Sequence, residues 1–178
     1  QQVTALLTTQ VQALGTAQVG YFSSTQVKNL TTDQLQTLSS TQITHVVTTG
    51  VAQLSSSQVQ SLTSDSVAAM TTAQVVALTS NLVNALTTAQ VASLSTAQVV
   101  ALEDEDIGAL STGQVSTLSS DQIQALSTGD IALFSTTQAA SLTGSQVGAL
   151  TTNQIQALTT SQVNNLTPDQ VRSMSTEQ

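Results

Sequence analysis

Four consecutive acidic residues interrupt a sequence that is otherwise almost uncharged. Glu103, Asp104, Glu105 and Asp106 stand together in a chain of 178 residues that has 10 acidic and 2 basic side chains. Clustered carboxylate oxygens are the ligands that Ca²⁺ prefers, so this stretch is a candidate calcium site, although it lacks the alternating ligands and the glycine of an EF-hand loop. The alternative, which we favour, is an acidic helix start, where the helix dipole stabilises negative charge.

Other residues that could do chemistry are few. His45 is the only histidine and there is no cysteine. A zinc site, or a Cys/His or Ser/His nucleophile, would therefore have to be assembled around one residue. We expect His45 to occupy a partly exposed position without a catalytic role. We predict that the protein is not an enzyme and has no catalytic or cofactor-binding residues, with calcium as the one candidate cofactor.

These residues are set in an eight-residue repeat that runs without insertion or deletion. We take TTDQLQTL, Thr31 to Leu38, as the reference octad and number its positions slots one to eight. Slot eight is Leu in 17 of 22 octads, slot five is Val or Ile in 20 of 22, slot four is Gln in 18 of 23, and slot one is Ser or Thr in 18 of 22. We predict that residues 1–178 form a single array of about 22 repeats, and that it is a segment of a longer array.

The spacing within the octad predicts one short helix per repeat. In a continuous α-helix eight residues advance by about 800°, so the apolar stripe would drift by about 80° per octad. The chain must therefore turn once per octad. Slot one Ser/Thr and slot four Gln form a capping-box pattern, which predicts one cap followed by a helix of about seven residues with slots five and eight on one face.

Residues that depart from the consensus agree with this register. All ten acidic residues lie in slots one to four, whereas Lys28 and Arg172 lie in slot six, as the helix dipole favours. Pro168 lies in slot two, the first helical position, where its missing N–H costs nothing. Five positions replace the slot-four Gln, of which one is Ser66, and the capping box is in doubt at the other four: Gly50, Leu82, Asp106 and Asp130.

Short helices must support one another by stacking, so we predict an all-α solenoid. Polar residues in slot six recur at multiples of 24 residues, with Gly108 and Ala132 as exceptions, at Gln12, Gln36, Gln60, Asn84 and Gln156. This recurrence favours three octads per coil, with Val, Ile and Leu in the core. A β-solenoid is the main alternative, but the apolar slots are three residues apart and only 8 glycines are present for some twenty turns.

Composition and charge limit the partners. The chain is 39% hydrophobic, 7% charged and 2% aromatic, with a formal charge of −8. So few basic residues leave no surface for a phosphate backbone, and no apolar run is long enough to cross a bilayer. We predict no nucleic-acid binding, no membrane insertion and no signal peptide within these residues. The expected partners are flanking repeats or domains of the same protein and further copies, side by side or end to end.

Two surface features allow further hypotheses. Asn29 and Asn165 begin N-x-[ST] sequons, the acceptor pattern for N-glycosylation. Any Asn in slot seven creates such a sequon because Leu and then Ser or Thr follow in the repeat, so we favour chance over a glycosylation site. Threonine recurs in slots one and two, so stacked octads could present Thr rows to ice, a glycan or another surface. Because Ser replaces Thr freely in slot one, we favour the interpretation that these residues are caps and solvated first-turn positions.

The repeat from Val3 to Met174 resembles the L-[ST]-[ST]-x-Q-[VI]-x-A-L tracts of very large repetitive bacterial proteins, often described as secreted or surface adhesin-like. The resemblance implies an exported filamentous or spacer segment, outside the bacterial cell or on its surface. We therefore predict a structural spacer or scaffold without catalysis. A binding module that presents Thr, Ser and Gln rows is the alternative.

Overall fold

A computed structural model of the chain describes residues 3–178. Every regular element in this part of the chain is helical, so the all-α prediction is confirmed and the β-solenoid is excluded. The residues group into two compact units, Gln1–Leu94 (unit 1) and Ser95–Gln178 (unit 2). Each unit is built from consecutive octads that contribute one short helix each.

Unit 1 begins with a short 3₁₀ turn, Val3–Ala5, which is followed by eleven helices. They are α1 Thr8–Gln12, α2 Thr16–Gly20, α3 Ser24–Lys28, α4 Thr32–Gln36, α5 Ser40–Ile43, α6 Thr48–Val51, α7 Ser56–Ser61, α8 Ser64–Ala69, α9 Thr72–Val76, α10 Ser80–Ala85 and α11 Thr88–Ser93.

Unit 2 contains ten helices of the same kind. They are α12 Thr96–Val100, α13 Asp104–Ala109, α14 Thr112–Thr117, α15 Ser120–Ala125, α16 Thr128–Leu133, α17 Thr136–Ser141, α18 Gly144–Ala149, α19 Thr152–Ala157, α20 Thr160–Asn164 and α21 Pro168–Arg172.

Each helix packs against the helix three places along the chain within its unit. In unit 1 α1 packs on α4, α2 on α5 and α3 on α6, and the series continues to α8 on α11. In unit 2 it runs from α12 on α15 to α18 on α21. Equivalent helices are one coil apart, so three octads make one coil. The solenoid of short helices with three repeats per coil, predicted from the slot-six spacing, is confirmed.

The core of each unit consists of the residues in slots five and eight. Slot-five side chains such as Val59 and Val115 have 0% of their surface exposed, and slot-eight side chains such as Leu62 and Leu118 have 4%. Burial of an aliphatic side chain contributes roughly 1.5–3 kcal/mol relative to leaving it in water. A two-turn helix has no comparable internal source of stability, so the stacked core holds the helices in place.

The helices are shorter than the sequence pattern predicted. They contain 4 to 6 residues instead of about seven, because the slot-eight residue, and in the shorter helices slot seven or slots six and seven as well, lies outside the helix. Leu62, for example, has φ −62° and ψ 141°, and its N–H donates to the Val59 carbonyl at 3.2 Å. The extended slot-eight residue turns the chain toward the next octad while its side chain still enters the core.

The predicted capping boxes form wherever slots one and four allow them. In α4 the backbone N–H of Gln34 donates to Thr31 Oγ1 at 3.2 Å, and the Thr31 N–H donates to Gln34 Oε1 at 2.9 Å. Asp130 keeps a reciprocal box with Ser127, so the doubt about this position was unfounded. The helices that contain Gly50 and Leu82 have no capping box, as expected.

Candidate functional site

The slot-four glutamine is the most heavily used side chain of the repeat. Gln34 has 2% of its surface exposed although it stands in the first turn of its helix. Its Oε1 accepts from the cap N–H, while its Nε2 donates to the carbonyl oxygens of Val3 at 2.9 Å and Leu6 at 2.7 Å. Those two carbonyls lie 31 and 28 residues earlier in the chain. One amide therefore caps its own helix and bonds the preceding turn of the solenoid.

Donation from the slot-four glutamine to the preceding coil recurs in both units. Eight further glutamines donate from Nε2 to the slot-eight carbonyl 28 residues earlier at 2.7 or 2.8 Å: Gln42, Gln58, Gln74, Gln90, Gln138, Gln146, Gln154 and Gln162. Gln170 does the same with Leu142. Where slot four is Ser66, its hydroxyl donates to Leu38 O at 3.3 Å, again across 28 residues. These bonds form a ladder, which we call the glutamine ladder.

The chemistry of the amide explains the choice of residue. Glutamine offers an acceptor oxygen and two donor hydrogens on one planar group. A capping box tolerates Glu as well as Gln, yet none of the 23 slot-four positions is Glu. A carboxylate would cap the helix but could not donate to the two carbonyls. The capping-box argument therefore missed the second role of this residue, and the absence of Glu was the available indication of it.

Asp130 breaks the ladder between two coils of unit 2. Asp130 Oδ2 accepts from the Ser127 N–H at 2.8 Å, so the carboxylate retains the capping half of the role. An ionised carboxylate has no hydrogen to donate. The equivalent acceptors, 31 and 28 residues earlier, are the carbonyl oxygens of Val99 and Leu102. The inter-coil half of the role is lost at this octad.

The acidic stretch lies at the start of α13. Glu103 is the N-cap residue and Asp104, Glu105 and Asp106 occupy the first turn, as the helix-start alternative predicted. Asp106 has 3% of its surface exposed, and its Oδ2 accepts from the Glu103 N–H at 3.3 Å, whereas the other three side chains are exposed. Within residues 3–178 no three acidic or histidine side chains are grouped as a metal-ligand set. Calcium binding here stays an untested alternative to the helix start.

The histidine and the sequon asparagines are exposed and make local contacts. His45 Nδ1 lies 3.0 Å from Thr41 O and 3.0 Å from Thr44 Oγ1, at the end of α5. Asn29 Nδ2 donates to Thr25 O at 2.7 Å, and Asn165 Nδ2 donates to Ser161 O at 2.8 Å. Both asparagines therefore bond the carbonyl of the second residue of their own helix. Each of these contacts lies within one octad.

The Ser and Thr hydroxyls of slot one are engaged within the chain. Ser95 Oγ and Thr143 Oγ1, for example, each accept from the backbone N–H of their slot-four Gln at 3.2 Å. This is the cap role that the sequence predicted for them. In slot two Thr72 and Thr96 are exposed as well.

The described part of the chain forms no pocket. None of its helices has the length and apolar character that crossing a lipid bilayer requires.

Comparison with known proteins identifies the repeat. The family model described as the ALTTAQ repeat matches residues 1–32, 67–104, 83–112, 99–136, 128–160 and 146–176. The motif ALTTAQ itself stands at residues 85–90. No curated protein and no solved structure matched the chain. The resemblance to a family of repeat tracts is thereby confirmed, and since the matches cover most of its length, the chain belongs to the ALTTAQ repeat family.

Proposed function

We propose that this repetitive structural domain is a spacer without catalytic activity, in a secreted or cell-surface bacterial protein. The observation that carries the proposal is the glutamine ladder. Gln146, for example, donates to Val115 O at 2.8 Å and to Leu118 O at 2.7 Å, across 31 and 28 residues. Every such glutamine uses its Nε2 to bond one coil to the coil before it.

The ladder and the core together support a role in which the number of repeats determines the length of the domain. Each 24 residues add three helices, three slot-five and three slot-eight side chains, and up to three ladder glutamines. In solenoids of this kind each repeat contacts only its neighbours, so stability and dimension grow roughly in proportion to repeat number. The number of octads between two domains would therefore set the distance that separates them.

The proposed location rests on the resemblance to tracts of large secreted and surface proteins. A chain without cysteine, and with two basic residues, is compatible with that location. Antibodies against the 178-residue chain provide a test in a bacterium that carries it. Labelling of intact cells or of the culture medium would agree with the proposal, and labelling only after lysis would contradict the location.

Distances between spin labels test whether the coils behave as a rigid spacer. The chain has no native cysteine, so Gly108→Cys, Ala132→Cys and Gln156→Cys can be labelled in pairs. These positions occupy slot six of successive coils within unit 2, at 24-residue intervals. We expect narrow distributions, a step of roughly 8–10 Å per coil, and a 108–156 distance close to twice the single step. Broad distributions would contradict a rigid spacer.

Binding of the Ser and Thr rows to a surface is the competing function. The slot-one hydroxyls already accept from backbone N–H groups, as Thr143 Oγ1 does at 3.2 Å, which favours the spacer. Thermal hysteresis or inhibition of ice recrystallisation by the purified chain would overturn this preference. Absence of both, together with the expected label distances, would support the spacer against an ice-binding role.

A further inference from the structure

The start of α16 lacks the hydrogen bonds that join the start of α18 to the preceding coil. In α18 the Nε2 of Gln146 donates to Val115 O at 2.8 Å and to Leu118 O at 2.7 Å. Asp130 is the equivalent residue of α16, and an ionised carboxylate has no hydrogen to donate. Within residues 3–178 its side chain bonds the Ser127 N–H alone, at 2.8 Å. The carboxylate thus caps its own helix without bonding the coil before.

The slot-eight residue that this bond would cover is more open to solvent than its equivalents. Among the buried slot-eight side chains, Leu54 and Leu102 are the most exposed, at 7% each. Both lack a ladder donor, because the residues 28 positions later are Leu82 and Asp130. Leu118, whose carbonyl has a ladder donor, is 4% exposed. In each unit, a missing donor thus coincides with easier access of solvent to the preceding coil.

Negative charge near this contact has no basic partner. Asp130 is half-buried, and Glu103, the first residue of the acidic stretch, follows Leu102 directly in the chain. The acidic stretch begins α13, and α13 packs on α16. No Lys, Arg or His occurs between residues 95 and 171. Like charges on adjoining helices repel each other, and no basic side chain of this segment offsets the repulsion.

The core of α16 does not share this weakness. Ile131 and Phe134 are as completely buried as their equivalents in α18, Val147 and Leu150. The first backbone bond of α16, from the Ile131 N–H to Ser127 O, is nevertheless longer, at 3.2 Å, than the equivalent bond of α18, at 2.9 Å. The difference between the two helices therefore lies at the helix start and in its bonding to the coil before.

We propose that the start of α16 is a weak joint of the solenoid, at which the first turn separates from the preceding coil more readily than the start of α18 does. The end of α16 stays attached, because Gln162 Nε2 donates to Ile131 O at 2.8 Å and to Phe134 O at 2.7 Å. The opening is therefore local, and the neighbouring coils remain folded. This goes beyond the spacer role, which requires no such joint.

Amide hydrogen exchange of the 178-residue chain, followed for each residue by NMR, tests the proposal. Exchange detects rare local openings that leave the average structure unchanged. The amides to compare are those of Ile131 and Val147, which make the first backbone bonds of α16 and α18. We expect the protection factor of Ile131 to be about tenfold lower than that of Val147, the effect of losing one or two net hydrogen bonds.

Exchanging the two slot-four residues should move the weak joint from α16 to α18. The double variant Asp130→Gln/Gln146→Asp keeps the composition and the net charge, supplies a ladder donor to α16 and removes the donor from α18. We expect the protection factor of Ile131 to rise about tenfold and that of Val147 to fall by about the same factor. The control Asp121→Gln removes one negative charge from an exposed slot-three position and should change neither amide.

Three results would overturn the proposal. They are equal protection of Ile131 and Val147 in the wild type, unchanged protection of Ile131 in the single variant Asp130→Gln, and an equal gain in Asp121→Gln. The single variant adds bonds and removes none, so it decides the question even if the double variant does not fold. The label distances within unit 2 test the spacer role separately. Narrow distances with equal protection would reject the weak joint and leave the spacer function in place.

Discussion

The side-chain nitrogen of Gln74 lies 2.7 Å from the carbonyl oxygen of Val46, which precedes it by 28 residues. The same nitrogen donates to Ile43 O at 2.7 Å, and the Gln74 side chain is 1% exposed. Its oxygen accepts from the Thr71 N–H at 2.9 Å. One buried amide thus joins a helix start to the preceding coil. The free energy of unfolding of each unit should therefore depend on both the acceptor oxygen and the donor nitrogen of such amides.

Gln74→Glu keeps the acceptor oxygen and removes both donor hydrogens. Two buried carbonyls then face a buried negative charge, since Gln74 is 1% exposed. Removing one partner of a buried polar contact, and leaving an unpaired charge, costs several kcal/mol. We expect a loss of at least about 3 kcal/mol in the free energy of unfolding. Urea denaturation followed by circular dichroism measures it.

Gln60→Glu is the matched control, because Gln60 is an exposed slot-six residue of the same unit. Exposed substitutions away from specific contacts usually change stability by less than about 0.5 kcal/mol. An equal loss in both variants would mean that added negative charge, and not the ladder bond, destabilises the chain.

Asp130→Gln should repair the break in the ladder. Asp130 already receives the Ser127 N–H at 2.8 Å, and a glutamine there could also donate to Val99 O and Leu102 O. A net gain of about 0.5–1.5 kcal/mol per hydrogen bond predicts a higher midpoint of thermal unfolding. Asp121→Gln removes the same charge from an exposed slot-three position and should not raise the midpoint. A rise of equal size in both variants would mean that removal of a negative charge, and not the restored ladder bonds, raises the thermal midpoint.

The periodicity of the octad was enough to predict the helices, the caps and three octads per coil. Each depends on local chemistry, such as the Thr31 to Gln34 capping box, or on spacing along the chain. Two results depended on three-dimensional contacts instead. The helices end before slot eight because residues such as Leu62 take extended angles to turn the chain. The ladder bonds join residues 28 and 31 apart, and no local pattern specifies such a partner.

The candidate site was less predictable than the fold. A capping box accounts fully for a glutamine in the first turn, so nothing in the octad alone required Gln34 to be 2% exposed. Asp106 is 3% exposed, whereas its three acidic neighbours in the sequence are exposed. Slot four faces the preceding coil, and that orientation follows from the stacking of helices three apart.

Calcium should leave the helical circular dichroism and the thermal midpoint unchanged. Asp106 Oδ2 is directed at the Glu103 N–H, at 3.3 Å, and the neighbouring carboxylates are exposed first-turn groups. Such groups are stabilised by the helix dipole without a metal. Melting curves in the presence of calcium and of a chelator provide the measurement. A midpoint that rises with calcium in the wild type, but not in Asp104→Asn/Glu105→Gln, would establish a calcium site instead.

Two glycines should respond to alanine with opposite signs. A Cβ at Gly50 would lie 2.8 Å from Val27 Cβ and from Val27 Cγ2, and Val27 is fully buried. A Cβ at Gly108, inside α13, would meet nothing within 4 Å. Alanine stabilises an unobstructed helix interior by about 0.5–1 kcal/mol relative to glycine, whereas overpacking a core costs roughly 1–3 kcal/mol. We therefore expect Gly108→Ala to raise the thermal midpoint and Gly50→Ala to lower it. A stabilised Gly50→Ala variant would contradict this expectation and show that α3, which contains Val27, can shift to accommodate the methyl group.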